Sequence, residues 1–154
     1  MSDKPVPSSE TVRRQMTRQR TSGTAPEIAL RRELHALSLR FRLHLRVGAS
    51  RPDVVFTRAR IAVFVMGDFW HSCPLHGTRP KANAAWWAAK LEANRARDER
   101  QRRELEAAGW LVAWVWECED PAVAAAFVQA LWRGRTTRGV PELSDDVCVI
   151  GMRT

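Results

Sequence analysis

Four acidic residues stand where they could serve metal-dependent chemistry. Glu27 follows a Thr-Ala-Pro segment, Asp53 and Asp68 flank two apolar stretches, and Asp98 lies in a long helix-forming stretch. Mg²⁺ prefers oxygen ligands, and two or more carboxylates gathered in one cleft could hold the ion for hydrolysis of a phosphodiester. These acids are far apart in sequence, so each also has a simpler structural interpretation.

The structural alternatives differ in strength. Glu27 comes three residues after Thr24, which is the spacing of a helix capping box. Asp98 could occupy a solvated helix face. Asp53 is harder to explain in this way, because an acid at the start of an apolar Val-Val-Phe strand has low strand propensity. A local departure from pattern of this kind is typical of a functional position.

A second group of residues has the spacing of a structural metal site. Cys73 and His76 are separated by two residues, and Cys118 follows an apolar segment that could end beside them. Tetrahedral zinc needs four ligands, and the candidates for the fourth are Asp68, His71 and Glu117. Free, packed cysteines are the alternative. With Cys148 the chain has three cysteines, an odd number that argues against a disulfide framework.

Aromatic residues cluster in the same part of the sequence. Phe69 and Trp70 directly precede His71 in a polar loop, where exposed rings would be costly unless they stack on a partner. Closing the hydrophobic core is the commoner role of such rings. Further along, Trp87, Leu91, Asn94 and Asp98 share one helix face. A stripe that belonged only to the core would not include an amide and an acid.

The composition favours a polyanionic partner. The chain has 154 residues, 25 of them basic and 17 acidic, and only three of the basic residues are lysines. Arginine binds phosphate oxygens in a bidentate manner and stacks on flat rings. No apolar run is long enough to span a membrane, and residues 1–20 lack the apolar core of a secretory signal, so we expect a cytoplasmic protein.

Periodicity predicts a mixed α/β sheet flanked by helices. Residues 1–22 are basic and poor in apolar residues, and we expect a partly disordered arm that binds a polyanion. The remaining pattern predicts helices and strands in the order α-β-β-β-α-β-α, at 24–38, 41–47, 53–56, 61–65, 82–108, 110–116 and 121–132. Consecutive strands followed by a helical crossover to a last strand give such a sheet.

Together these motifs resemble the very-short-patch repair endonucleases, the DNA mismatch nicking enzymes of bacteria. The resemblance covers about residues 16–119 and rests on Thr-Ala-Pro-Glu at 24–27, Arg-Pro-Asp-Val-Val-Phe at 51–56, Val-Phe-Val at 63–65, Gly-Asp-Phe-Trp-His-Ser-Cys-Pro-Leu-His-Gly at 67–77, Trp-Trp at 86–87, residues 94–98, Gly-Trp at 109–110 and Trp-Glu-Cys at 116–118. It implies a restriction-endonuclease-like core with a small zinc-stapled loop. We assign residues 23–135 to this endonuclease domain and 136–154 to a C-terminal tail.

The resemblance also implies a role for each acid and for one histidine. Asp53 matches the aspartate that binds the catalytic Mg²⁺, with a backbone carbonyl near Val65 assisting. His71 matches a catalytic histidine that acts as general base or acid at the attacking water. Glu27 and Asp98 match acids that hold waters around the metal or orient that histidine.

Further residues match the family's DNA contacts and zinc ligands. Phe69, Trp70 and Trp87 match aromatic residues that wedge into the duplex beside a T:G mismatch, and Met16 in the arm matches an apolar residue inserted from the opposite groove. We place Asn94 in the same DNA-binding set. The structural zinc ligands implied are Cys73, His76, Cys118 and Asp68.

Three departures from the family pattern are visible. Asp68 stands where the family usually has cysteine, so an oxygen ligand, a solvent molecule or a weakened site are all open. The strand after Asp53 lacks the Glu-x-Lys pair that is general among restriction-type nucleases, and the resemblance implies that His71 replaces it. Residues 47–50 are short for the family.

The resemblance implies a Mg²⁺-dependent, strand-specific endonuclease that cuts 5′ to the T of a T:G mismatch in double-stranded DNA. It implies a monomer, found in bacteria with the nucleoid, and mismatch-repair proteins are candidate partners. Two alternatives stay open: a sequence-specific restriction-type endonuclease, and a non-catalytic zinc-stabilised DNA-binding module.

Overall fold

The computed structural model describes residues 22–137, together with Glu10, Thr11 and Arg14. Its elements are helices α1 (Ala25–Ala36), α2 (Ala84–Ala107) and α3 (Pro121–Thr136), and strands β1 (Arg42–Leu43), β2 (Val54–Phe56), β3 (Ile61–Met66) and β4 (Leu111–Trp116). Met16, Cys148 and most of the predicted arm and tail lie outside the described residues.

The four strands form one mixed sheet in the order β1-β2-β3-β4. β1, β2 and β3 pair antiparallel, and β3 pairs with β4 in parallel from Ile61 opposite Leu111 to Met66 opposite Trp116. The parallel pairing requires a crossover, which α2 provides. The predicted mixed α/β fold with flanking helices is confirmed, and the parallel pair ends β3 and β4 at the same edge of the sheet.

The hydrophobic core lies between the sheet and helices α1 and α3. Leu30 and Leu34 of α1 and Val128 of α3 are buried against residues of the three longer strands. Strand β2 is buried along its whole length. Helix α3 begins at a well-formed cap, in which Asp120 Oδ1 accepts hydrogen bonds from the backbone amides of Ala122 and Val123. This core fixes the edge of the sheet from which the site residues project.

Helix α2 packs against β4, with the Arg102 guanidinium 5.9 Å from the centre of the Trp114 ring. The helix also carries ion pairs between its own side chains, among them Arg102 with Glu99 at 2.7 Å and with Glu106 at 3.1 Å. The hydrogen bond from Arg102 lowers the pKa of Glu99. Exposed pairs of this kind contribute little stability each. In the part of the chain that the structure describes, no helix is both long enough and apolar enough to cross a membrane.

The strand predicted over 41–47 is much shorter than expected, because β1 ends at Leu43. His44 has φ of 49°, a left-handed conformation that cannot continue a strand. The chain turns away there, and only an isolated bridge between Val47 and Ser50 follows. The alternation of apolar and polar residues therefore gave a wrong prediction for residues 44–47, where the backbone leaves the sheet.

Candidate active site and metal centre

An open cleft of about 790 Å³ lies beside the carboxyl end of β3. Its walls come from the start of α1, the segment before β2, the loop after β3 and one face of α2. The six predicted site residues that line it are Glu27, Asp53, Trp70, His71, Asn94 and Asp98. The fold thus brings to one cleft residues that are up to 71 positions apart in sequence, from Glu27 to Asp98.

Asp53 precedes β2 and is fixed by the neighbouring strand. Its backbone amide donates to the Val63 carbonyl at 2.9 Å, and its Oδ2 accepts from the Val65 amide at 2.7 Å. Burial raises the pKa of the Asp53 carboxyl, the hydrogen bond from Val65 opposes this rise, and the nearby Glu27 charge adds to it. The second oxygen, Oδ1, lies 3.8 Å from Nδ1 of His44. Asp53 is therefore held rigidly by one oxygen.

Glu27 is only 4 % exposed, and three donors surround its carboxylate. The Gly23 amide and Arg31 Nη2 donate to Oε2 at 2.9 and 2.7 Å, and the Thr24 hydroxyl donates to Oε1 at 3.2 Å. The Thr24 hydroxyl makes no cap to a helix amide. The capping-box interpretation thus holds only in part, since Glu27 organises the start of α1 while it lines the cleft.

His71 and Asp98 form a close pair. Nδ1 of His71 lies 2.5 Å from Asp98 Oδ2, and Arg97 Nη2 donates to the other oxygen of Asp98 at 3.2 Å. The His71 amide donates to the Gly67 carbonyl, which fixes the loop that carries the imidazole. Asp98 is 8 % exposed, so the alternative of a solvated helix face is wrong. The pair has the geometry of an imidazole oriented by a buried acid.

Several cleft residues were missed by reasoning from the sequence. They include the polar lining residues Arg51, Lys90, Arg97, Gln101 and Glu117. Two residues that contact the cleft carboxylates from outside the lining were missed as well: His44, whose ring Nε2 lies 3.1 Å from Arg31 Nη2, and Arg31 itself. The spacing of Glu27 and Arg31, four residues apart on one helix, was a signal that could have found their ion pair.

The three rings expected to be exposed pack on one another instead. The ring centres of Phe69 and Trp70 are 5.0 Å apart, those of Phe69 and Trp87 5.3 Å, and those of Trp70 and Trp87 6.0 Å. Trp87 is 8 % exposed. Asn94 ties the cluster to α2, because its amide donates to the Trp70 carbonyl at 3.1 Å. The expected exposure was wrong for Trp87, since the loop folds back onto the helix and buries the aromatic faces.

The second cluster of polar residues lies where β3 and β4 end, with three of its residues in the loop after β3 and Cys118 after β4. One ligand atom from each of Asp68, Cys73, His76 and Cys118 lies within 4.8 Å of all the others. The two sulfur atoms are 3.6 Å apart, close to the distance of about 3.8 Å between two thiolate ligands of a tetrahedral zinc ion. Asp68 Oδ1 is buried and has no hydrogen-bond partner among the described residues. A buried oxygen without a donor is what a cation would satisfy, so the donor set fits a metal ion.

The other candidates for the fourth ligand have different partners. His71 is paired with Asp98, and Glu117 Oε1 accepts from the Asp68 amide at 2.8 Å. Burial, with Asp68 and Cys73 nearby, raises the pKa of the Cys118 thiol to about 12. The Cys118 thiol thus holds its proton at neutral pH unless a positive charge is supplied.

The local backbone explains how this loop closes. The Cys73 amide donates to the Asp68 carbonyl, and the Gly77 amide donates to the Cys73 carbonyl at 2.9 Å. A Cβ on Gly77 would lie 2.6 Å from the Cys73 carbonyl oxygen, so only glycine fits there. Strands β3 and β4 end side by side, with Met66 paired to Trp116. Asp68 and Cys118 come two residues after these positions, so the strand pairing brings them close together.

Comparison with known proteins identifies the family. A model of the family DNA mismatch endonuclease Vsr matches residues 6–75. The type II nicking enzyme V.XorIIP of Xanthomonas oryzae pv. oryzae is 46 % identical over 108 residues, which are 68 % of this chain and 77 % of that protein. The type II nicking enzyme V.NaeI of Lentzea aerocolonigenes is 43 % identical over 129 residues, covering 80 % and 78 %. The DNA mismatch endonuclease Vsr of Escherichia coli is 36 % identical over 100 residues, covering 64 % of each.

A solved structure has the same fold. The catalytic domain of the homing endonuclease I-Bth0305I superposes with a TM-score of 0.51 at 17 % identity, over 73 % of this chain and 98 % of that one. This similarity confirms the expected restriction-endonuclease-like core. The family match and the relatives above lead to one conclusion: the chain belongs to the Vsr family of DNA mismatch endonucleases, and it is a DNA endonuclease, a hydrolase of phosphodiester bonds.

Proposed function

We propose that this endonuclease is Mg²⁺-dependent and nicks one strand of double-stranded DNA, 5′ to the T of a T:G mismatch. Such mismatches arise when 5-methylcytosine is deaminated. The observation that carries the proposal is that Asp53 and the His71–Asp98 pair line one cleft, in a chain of this family. A metal-binding carboxylate and an oriented imidazole are complementary parts of a phosphodiester hydrolase.

Asp53 would hold the magnesium ion. Its Oδ2 accepts a hydrogen bond from the Val65 amide. Its Oδ1 accepts no hydrogen bond among the described residues, and Nδ1 of His44 lies 3.8 Å from it. Mg²⁺ usually binds through one or two carboxylates together with substrate phosphate oxygens, so a single fixed carboxylate in an open cleft fits it. When bound, the ion supplies Lewis acidity toward the phosphate and lowers the pKa of water.

His71 would move the proton. Among the described residues its ring makes one hydrogen bond, through Nδ1 to Asp98. Asp98 then holds the Nδ1–H tautomer, and Nε2 keeps a lone pair that can take a proton from the attacking water. Asp98 also favours the imidazolium that results, because its carboxylate lies beside the ring.

The DNA would lie along the cleft face of α2. Lys90 and Arg97 line the cleft from this helix, and Arg51 does so from the opposite wall. Cations on two walls suit the phosphates of a bound strand. Phe69, Trp70 and Trp87 would wedge beside the mismatch, which requires the aromatic cluster to open toward the bases. Met16 would contact the duplex from the arm.

Zinc is the metal we propose for Asp68, Cys73, His76 and Cys118. Two sulfur ligands favour zinc over magnesium, which takes oxygen ligands. A closed set of four protein ligands is typical of a structural site rather than a catalytic one. Its role would be to brace the loop that carries His71, since that residue lies between Asp68 and Cys73 in sequence.

Incubation with Mg²⁺ and a strand-labelled duplex tests the proposal. We expect a single nick in the T-containing strand of a T:G duplex and no cutting of the matched duplex. Cutting of both strands of matched DNA would instead identify a sequence-specific restriction-type enzyme. Binding with no cut would identify a non-catalytic module. Because a strand-specific nick needs only one active site, the active species is expected to be a monomer on sedimentation.

A further inference from the structure

His44 connects an ion pair on α1 to the Asp53 carboxylate. Arg31 Nη2 donates to Glu27 Oε2 at 2.7 Å and lies 3.1 Å from Nε2 of His44. A guanidinium has only donors, so Nε2 of His44 must be the acceptor in this contact. The proton of the neutral ring is then on Nδ1, which faces Asp53 Oδ1 at 3.8 Å. The tautomer of His44 thus follows from Arg31.

The backbone of His44 is also fixed on both sides. Its amide donates to the Asp53 carbonyl at 3.3 Å, and Arg51 Nε donates to its own carbonyl at 3.1 Å. Its φ of 49° ends β1. Residues other than glycine are uncommon in this left-handed region, so the conformation has a cost that the surrounding contacts offset.

We propose that His44 is a positioning residue that separates the Arg31 guanidinium from Asp53. The imidazole accepts from Arg31 on one side and presents an N–H to Asp53 on the other. Without the ring, Arg31 Nη2 would keep its bond to Glu27 but lose the acceptor that lies between it and Asp53, whose carboxylate already interacts with the Arg31 charge. An Arg–Asp pair would occupy the one oxygen that Asp53 has left, and it would compete with a cation there. This inference rests on the proposed role of Asp53.

Two substitutions at one position separate this role from a merely structural one. His44→Gly removes the imidazole and suits a positive φ. His44→Asn also tolerates that φ, and its side-chain amide keeps an acceptor for Arg31 together with an N–H donor. Ser38→Gly is the matched control, because Ser38 has φ of 60° and does not line the cleft. All three are compared with the wild-type full-length chain.

The measurements are the Mg²⁺ concentration for half-maximal nicking and, independently of activity, the affinity for Mn²⁺ followed by its electron paramagnetic resonance. For His44→Gly we expect both constants to rise by about tenfold, the usual cost of losing a group that orients a metal ligand. His44→Asn should recover most of this loss, and Ser38→Gly should match the wild type. An unchanged His44→Gly, equal Gly and Asn variants, or an equal shift in Ser38→Gly would each overturn the proposal.

A second measurement reads the tautomer directly. In ¹⁵N–¹H spectra of the wild-type protein, the signal lost in His44→Asn should be that of a neutral Nδ1–H ring, and an Nε2–H ring would overturn the assignment. If the wild type nicks no T:G duplex, the proposed function fails. The Mn²⁺ titration and the tautomer then still decide whether His44 positions Asp53.

Discussion

The proposed catalytic cleft and the metal loop, as we call the four proposed zinc ligands Asp68, Cys73, His76 and Cys118, differ in how their polar groups are satisfied. In the cleft, each acid already has a donor: Asp53 has the Val65 amide, Glu27 has Arg31, and Asp98 has His71. In the loop, Cys73 and Cys118 lie against each other, and a buried oxygen of Asp68 has no partner among the described residues. The protein itself thus satisfies the acids of the cleft, whereas an added positive charge would satisfy the groups of the loop.

This difference separates two ways of using a metal. A catalytic cation must bind together with substrate, so the protein fixes one ligand and leaves coordination positions for phosphate and water. A structural cation stays, so its ligands can depend on it for their own stability. We therefore expect changes in the cleft to affect rate with little effect on folding, and changes in the loop to affect folding.

The largest effect on rate should come from Asp53→Asn. Loss of the carboxylate charge removes several kcal/mol of metal-assisted stabilisation, which corresponds to a nicking rate lower by about a thousandfold or more. DNA binding should be unchanged in a gel-shift assay, because the cations of the cleft remain. Nicking near the wild-type rate would show that Asp53 does not hold the catalytic ion.

The next largest effect is expected for His71→Ala. Loss of the general base should lower the single-turnover nicking rate by about a hundredfold or more. Asp98→Asn keeps an acceptor for His71 Nδ1 but loses the charge, so its loss should be smaller. If Asp98→Asn were slower than His71→Ala, Asp98 would have to act on something other than the imidazole.

Substitution of a proposed zinc ligand should lower the stability of the folded protein. Elemental analysis of the purified protein should find about one zinc ion per chain, as one tetrahedral site requires. Cys118→Ser should lose most of this zinc and lower the melting temperature, and a strong chelator should do the same to the wild type. Cys148→Ser, outside the proposed ligand set, is the matched control. Equal zinc content in the two variants would refute the ligand assignment.

The smallest expected effect is a gain in stability. Burial raises the folded-state pKa of Asp53 above 3.8, so its charged form costs folding free energy at neutral pH. Asp53→Asn removes that cost while Oδ1 of the amide can still accept from Val65. The melting temperature of this variant, without metal, should exceed that of the wild type at neutral pH, and the gain should vanish as the pH falls through 3.8. A lower melting temperature at pH 7 would contradict this.

Periodicity predicted the order of helices and strands, because burial on one face imposes it. Trp87, Leu91, Asn94 and Asp98 were correctly predicted to share one face of α2, but their burial was not predicted, because an amide and an acid argued against a core stripe. The end of β1 at His44 was not predictable in this way. Its positive φ is maintained by Arg31, Arg51 and Asp53, which are distant in sequence, and local alternation carries no information about such contacts.

In the candidate site, too, local sequence patterns were predictable and contacts between distant residues were not. Asp53 was recognisable because an acid broke an apolar strand pattern. The packing of Phe69, Trp70 and Trp87 on one another was not, since a sequence shows the rings but not which of them meet. The metal loop was predictable only in part. The Cys-x-x-His spacing is visible locally in the sequence, whereas Cys118 follows a different strand and meets it only in the fold.

The parallel pairing of β3 and β4 has a consequence for protein synthesis. Glu27, Asp53, His71 and Asp98 all leave the ribosome before β4, yet β4 supplies the partner of β3 and the residue Cys118. A chain that stops short of β4 contains these four side chains without the sheet edge that aligns them. The order of residues along the chain therefore delays the assembly of the cleft until β4 has been synthesised.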